Sequence, residues 1–309
     1  MSHPHEMPRD MSGNKRPILT VFVILGIIVL FLGMVLTVVF SLSGSSFSLS
    51  LRERIGVIPI EGPITESQQI IKQLVDFKKD ERIKAIILRV NSPGGGVAPS
   101  QEIYREVRKT IPTKKVVASM GAVAASGGYY IASAADKIVA NPGTLTGSIG
   151  VIMEFVQLED LLKKLGIGME VLKSGEFKDI GSPHRRMSER EKELIRNLIL
   201  EIQQQFVEAV AHGRNISVEK VQEIADGRIL SGAQSKELGL VDQLGNFEDA
   251  VDLAKSMAGI KGEVTLVYPK RTRAALWDLI LHDASLALVK VVRNILIPHI
   301  EYRWDRPSY

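Results

Sequence analysis

Ile83-Lys84-Ala85-Ile86-Ile87-Leu88-Arg89-Val90-Asn91-Ser92-Pro93-Gly94-Gly95-Gly96 is a mostly apolar run that stops in a proline and a row of glycines. A strand covered on both faces reads as such a run rather than as an alternation. Upstream, the spacing of Ile70, Ile71, Leu74, Val75 and Phe77 predicts a helix over 65–80. Downstream, a helix is expected over 100–111, ended by Pro112. Ile55–Ile60, Lys115–Ser119, Lys137–Ala140 and Met169–Lys173 read as further strands, and 126–134 as the start of a helix. Ser188 and Glu191 form a capping box that opens a long helix to about His212. Smaller helices are expected over 218–225, 232–238 and 246–257, and a last strand over 263–268. Strand, glycine turn, helix, strand is the pattern of an α/β domain with a mostly parallel sheet and crossover helices.

The rest of the 309 residues sets the frame. Net charge is +4 and the basic residues do not gather in one block, which argues against nucleic-acid binding. Cysteine is absent, excluding disulfides and thiolate chemistry. No paired-histidine spacing points to a metal, and nothing calls for a cofactor. No charge occurs between Arg16 and Arg52, and Ile18–Phe40 is predominantly apolar. A helix of that length reaches about 35 Å, enough to cross a hydrocarbon core of roughly 30 Å. Lys15 and Arg16 flank its start, which places the N-terminus in the cytoplasm and the remainder outside. A cleaved signal peptide is the alternative, although the apolar stretch is long for one. The expected organisation is a cytoplasmic tail (1–16), a transmembrane anchor (17–41), a Ser/Gly-rich linker (42–53), a folded domain (54–270) and a C-terminal amphipathic extension (271–309).

Chemistry centres on Ser126 and Lys178. Ser126 sits in Met120-Gly121-Ala122-Val123-Ala124-Ala125-Ser126-Gly127-Gly128, where small neighbours permit close approach of a carbonyl. The other reading of that run is tight helix–strand packing. Gly127, at a helix start, offers an N–H to an oxyanion. Gly94 and Gly95 follow a buried strand, where an oxyanion hole or a plain tight turn both fit. A phosphate loop is disfavoured because no Gly-Lys-Ser/Thr ending follows. Lys178, in Ser174-Gly175-Glu176-Phe177-Lys178-Asp179, is a general base only if its amine is neutral; at pH 7 that costs roughly 4.6 kcal/mol from the free-lysine value. Burial away from the carboxylates of Glu176 and Asp179 would supply part of this. A solvated surface lysine is the alternative. Ser148, in the hydroxyl-rich turn 141–150, is placed to aim the amine or is simply part of a loop. Of the histidines, only His184 lies near this segment, and Ala124-Ala125-Ser126-Gly127-Gly128 departs from the Gly-x-Ser-x-Gly elbow.

Taken together, Asn91–Gly96, Ala125-Ser126-Gly127-Gly128-Tyr129-Tyr130, Leu145-Thr146-Gly147-Ser148-Ile149-Gly150, Ser174–Asp179 and Ala225-Asp226-Gly227-Arg228 resemble the bacterial signal peptide peptidase A proteases in their short single-domain form. The resemblance covers about residues 54–260 and includes the anchor. It implies a fold similar to the Clp protease and crotonase proteins, with Ser126 as nucleophile, Lys178 as base and Ser148 orienting the amine. It implies an oxyanion hole from the N–H groups of Gly127 and the Gly94–Gly95 turn. It also implies a homo-oligomeric ring, an octamer being expected, with serine and lysine from adjacent protomers. The substrates would be remnant signal peptides and other hydrophobic or unfolded peptides, at the bacterial inner membrane. A crotonase-like acyl-CoA enzyme and a stomatin-associated membrane protease or scaffold are the alternatives.

Overall fold

The computed structural model describes residues 24–35, 37, 53–269 and 300–303. The chain forms two units, Met1–Leu51 and Arg52–Tyr309. In the first, residues 24–35 form helix α1. Among the described residues no helix is long and apolar enough to cross a membrane. The remainder of the expected 17–41 span, the 1–16 tail, and the linker except Glu53 lie outside the described residues.

The second unit runs β1 (Arg54–Glu61), α2 (Gln68–Lys79), β2 (Ile83–Ser92), β3 (Gly94–Gly96), α3 (Val97–Thr110), β4 (Lys115–Ala125), α4 (Gly127–Ser133) and β5 (Lys137–Ala140). It continues with β6 (Leu145–Gly147), β7 (Ile152–Met153), α5 (Glu159–Lys164), α6 (Glu189–Arg214), α7 (Val218–Gln222), β8 (Ile229–Ser231) and α8 (Gly232–Glu237). The last elements are β9 (Gln243–Leu244), α9 (Phe247–Met257), β10 (Thr265–Val267) and β11 (Ile300–Arg303).

The main sheet has the order β10-β1-β2-β4-β5-β9, and every neighbouring pair along it is parallel. Its central strands are apolar on both faces because both are covered. Ile86 and Leu88 belong to one core with Val116, Met120, Tyr129, Phe206 and Val210. Ala85 and Ile87, one step out of phase, belong to a second with Val57, Val117, Val139, Ala250 and Ala254. That two-sided burial explains the unbroken apolar run that opens the sequence.

Two sequence expectations give way. The short strand at Lys115–Ser119 is the first half of β4, which continues through Met120–Ala125. Small residues there carry little strand propensity; the strand exists because Val123–Ala125 pair with β6 while Val117–Ser119 pair with β5. Met169–Lys173 is not a strand. It is irregular and exposed, Leu172 being 92% accessible, because no described strand edge receives it.

A second, three-stranded sheet has the order β3-β11-β7, antiparallel throughout. Residues 300–303 thus lie between the glycine strand and β7, with Tyr302 opposite Gly95 and Ile300 opposite Met153. No strand was expected in the 271–309 extension. The remainder of that segment lies outside the described residues.

Candidate active site

The parallel pairing of β4 with β6 ends at Ala125↔Gly147. Ser126 and Ser148 are the next residue on each strand, so the register alone sets them side by side at the carboxyl end of the sheet. Both turn there with positive φ, 52° at Ser126 and 49° at Ser148. Such corners in a non-glycine residue cost about 1–3 kcal/mol and persist only where the surroundings hold them. Here they are held. The Ser126 N–H donates to the Gly147 carbonyl at 2.8 Å, and the Ser126 carbonyl accepts from Tyr130 N–H at 2.8 Å. The Ser148 N–H donates to the Arg228 carbonyl at 2.8 Å, and the Gly227 N–H to the Ile149 carbonyl at 3.1 Å. The Ala225–Arg228 motif therefore acts through its backbone, clamping the Ser148 corner. Helix α4, behind Ser126, is pinned by the buried Tyr129, whose hydroxyl donates to the Leu240 carbonyl at 3.0 Å.

Ser126 is 1% exposed and its Oγ has no hydrogen-bond partner among the described residues. A buried hydroxyl left unmated is costly, and its usual explanation is a partner supplied later by water, substrate or another group. Gly127 opens α4, so its N–H has no acceptor within the helix.

The glycine strand lies against the same corner. A Cβ on Gly128 would sit 2.8 Å from the Ser92 carbonyl oxygen. Gly128 therefore serves the approach of α4 to β2 rather than that of a ligand. Gly95 has φ of 156°, and a Cβ there would meet the Ile64 carbonyl oxygen at 2.3 Å. The Gly94 N–H donates to Ser92 Oγ at 3.1 Å, and Ser92 Oγ donates to the Gly62 carbonyl at 2.6 Å. Ser92, fully buried, is the residue that shapes this turn, and sequence reading passed over it because a serine before proline looks like ordinary turn composition.

Lys178 belongs to a different environment. It is exposed, in consecutive turns between residues 174 and 184. No side-chain hydrogen bond or ion pair involves it among the described residues, so the structure does not join it to Ser126 or Ser148 within one chain. The carboxylates beside it are engaged elsewhere. Glu176 pairs with Arg190 at 3.0 Å. Asp179 accepts from Arg185 Nε and Nη2, both at 2.7 Å, and pairs with Lys173 at 2.7 Å. Those two cations, Arg185 first, hold the Asp179 carboxyl well below the usual carboxylate range. His184 lines a neighbouring cavity of about 410 Å³ with Lys173, Asp179 and Arg185. Among the described residues no cluster of His, Cys, Asp or Glu could hold a metal ion.

Residues 109–261 match Peptidase family S49, and residues 43–144 match the Clp protease family. A candidate protease of Synechocystis sp., slr0021, is 45% identical over 215 residues, 69% of this chain and 78% of that protein. A candidate protease of Methanocaldococcus jannaschii is 34% identical, over 86% of this chain and 90% of that one. The chloroplastic serine protease SPPA of Arabidopsis thaliana is 36% identical over 78% of this chain, which spans 36% of the plant protein. A solved ClpP1 variant from Listeria monocytogenes superposes with a TM-score of 0.44 at 18% identity, covering 63% of this chain and 94% of that one. The acyl-CoA alternative yields to the family match. With the Peptidase family S49 match and relatives alike along most of their length, the chain, an α/β domain with a mostly parallel sheet, belongs to peptidase family S49 and is a serine peptidase.

Proposed function

We propose that the chain is a membrane-anchored Ser/Lys endopeptidase that cleaves signal-peptide remnants and other hydrophobic or unfolded peptides. The observation that carries this reading is the buried, unpartnered Oγ of Ser126 on a held positive-φ corner beside Ser148. Ser126 Oγ attacks the scissile carbonyl carbon and passes its proton to the neutral Lys178 amine. The oxyanion takes the Gly127 N–H and a donor from the Gly94–Gly95 turn. The tetrahedral adduct collapses, the C–N bond breaks, and the amine product leaves with the proton from the Lys178 ammonium. Water then attacks the acyl ester and gives a proton to Lys178, which returns one to Ser126 Oγ. Ser148 aims the amine.

Substrate would enter as an extended strand. The pairing of residues 300–303 with β3 on one side and β7 on the other marks a slot of the right width beside the glycine turn. Backbone pairing gives affinity without dictating side chains, which suits varied hydrophobic peptides.

Lys178 is supplied by a second copy of the chain in a ring. The exposure of Lys178 and the lack of any hydrogen-bond partner for the buried Ser126 Oγ among the described residues support this. So does the apolar surface of the intervening arm, where Leu161, Leu165, Ile167, Met169 and Leu172 are all exposed. The anchor within 17–41 would hold the ring at the cytoplasmic membrane with the peptidase outside. Shielding of the domain from added protease in intact spheroplasts would reject that topology.

The decisive test is purified full-length protein in detergent, labelled with a fluorophosphonate and assayed on a signal-peptide substrate. Wild type should label at Ser126 and cleave. Ser126→Ala and Lys178→Ala should each lose at least about 10³-fold in kcat/KM with the assembly intact. Near-wild-type turnover in either variant rejects the dyad.

A further inference from the structure

Arg185 occupies an unusual position. Its guanidinium is held by two carboxylates at once, Asp179 through Nε and Nη2 and Glu191 through Nη1 at 2.8 Å and Nη2 at 2.5 Å. Glu191 is 3% exposed and is itself fixed, because it closes the capping box of α6 by accepting the Ser188 N–H at 2.8 Å. The start of a long helix therefore anchors Glu191, Glu191 anchors Arg185, and Arg185 grips Asp179. Asp179 is the residue next to Lys178. Only arginine presents a fork that can serve two carboxylates in this way.

The other charges around the loop are also accounted for. Lys173 adds a second hold on Asp179 and donates to the Glu176 carbonyl at 2.9 Å. Glu176 goes to Arg190, and Glu159, across the cavity beside Asp179, goes to Lys163 at 2.6 Å. Arg186 pairs with Asp160 and Lys192 with Glu189. His184 lines the same cavity. Of the lysines and arginines between 173 and 192, Lys178 alone makes no ion pair among the described residues.

We propose that Arg185 is a positioning residue that holds the Asp179 carboxylate away from the Lys178 amine and so keeps that amine unpaired for proton transfer. The inference rests on reading Lys178 as the general base. Its physical content is simple. A carboxylate next to an amine favours the ammonium, and an ammonium accepts no proton. In the sequence Lys178-Asp179 the wrong partner is one residue away, and the fold removes it by giving it a better one.

The test is the pH dependence of kcat/KM for the full-length protein in detergent, with thermal unfolding recorded for each variant. Arg185→Met leaves Asp179 held by Lys173 alone and free to turn towards Lys178, so the acid limb should move up by as much as about one pH unit, a loss of up to about tenfold at neutral pH. Asp179→Asn should leave the limb at or below its wild-type position. The double variant Arg185→Met with Asp179→Asn should return the limb to that position, although it has lost more ion pairs than either single variant. A structural role predicts the opposite: no movement of the limb in Arg185→Met, and a double variant no better than the single. That result, or inactivity of Asp179→Asn, overturns the proposal. Should Arg185→Met fail to fold, Arg185→Lys and its double with Asp179→Asn carry the same comparison, with a smaller upward shift expected. Lys178→Ala, run in parallel, separates the two levels. If it is inactive while Arg185 variants keep the wild-type limb, only the positioning role fails; if it is active, the dyad itself fails.

Discussion

The two halves of the proposed dyad are built by opposite means. Ser126 and Ser148 stand at the ends of paired strands, buried, in corners that backbone hydrogen bonds force into positive φ. Lys178 stands on an exposed arm held by ion pairs and a helix cap, with large apolar side chains turned to solvent. The first half is complete as far as one chain can make it. The second is furnished but unattached. A nucleophile must be rigid before substrate arrives, and the paired strand ends of a packed sheet supply that rigidity. Under the proposed assembly, a base delivered by a second subunit would switch the site on only once the subunits have come together.

That contrast can be broken first at the arm. Leu165→Glu together with Leu172→Glu places charge on its apolar surface. The prediction is loss of the oligomer on size exclusion and loss of nearly all peptidase activity in step with it. A monomer as active as the wild-type ring would detach the arm from the site. A smaller effect concerns the slot. Ending the chain after His299 removes residues 300–303 from between β3 and β7. Peptide KM should fall several-fold with kcat unchanged, because a tethered competitor is gone. An unchanged KM would mean that peptides bind elsewhere. The smallest effect concerns strain. Ser126→Gly and Ser126→Ala should both be inactive, but only glycine is at ease at φ of 52°. Ser126→Gly should therefore be the more stable of the two by about 1 kcal/mol in urea unfolding. Equal stabilities would remove the strain from the nucleophile half.

The sheet was legible because its central strands are covered on both faces, and Ile83–Val90 announces this by composition alone. The long helix was legible through Ser188 and Glu191, whose capping box forms as expected. The second half of β4 was not, since Gly121, Ala122, Ala124 and Ala125 carry no strand preference and their pairing is a tertiary matter. The candidate residues came from sequence, yet the corners at Ser126 and Ser148 did not, because serine gives no local sign of positive φ. Arg185 was invisible for a related reason. Its meaning lies in two carboxylates that converge on it only after α6 has formed. Strand β11 was missed because its partner is a glycine turn, which sequence reading does not treat as an open edge.

Mixing the two inactive variants asks whether one site is assembled from two chains. Ser126→Ala and Lys178→Ala proteins, dissociated together and reassembled, will form rings in which some sites join an intact Ser126 to a neighbour's intact Lys178. Peptidase activity should return to about a quarter of wild type at equal mixing. Mixed rings of confirmed composition that remain inactive would show that serine and lysine must come from the same chain.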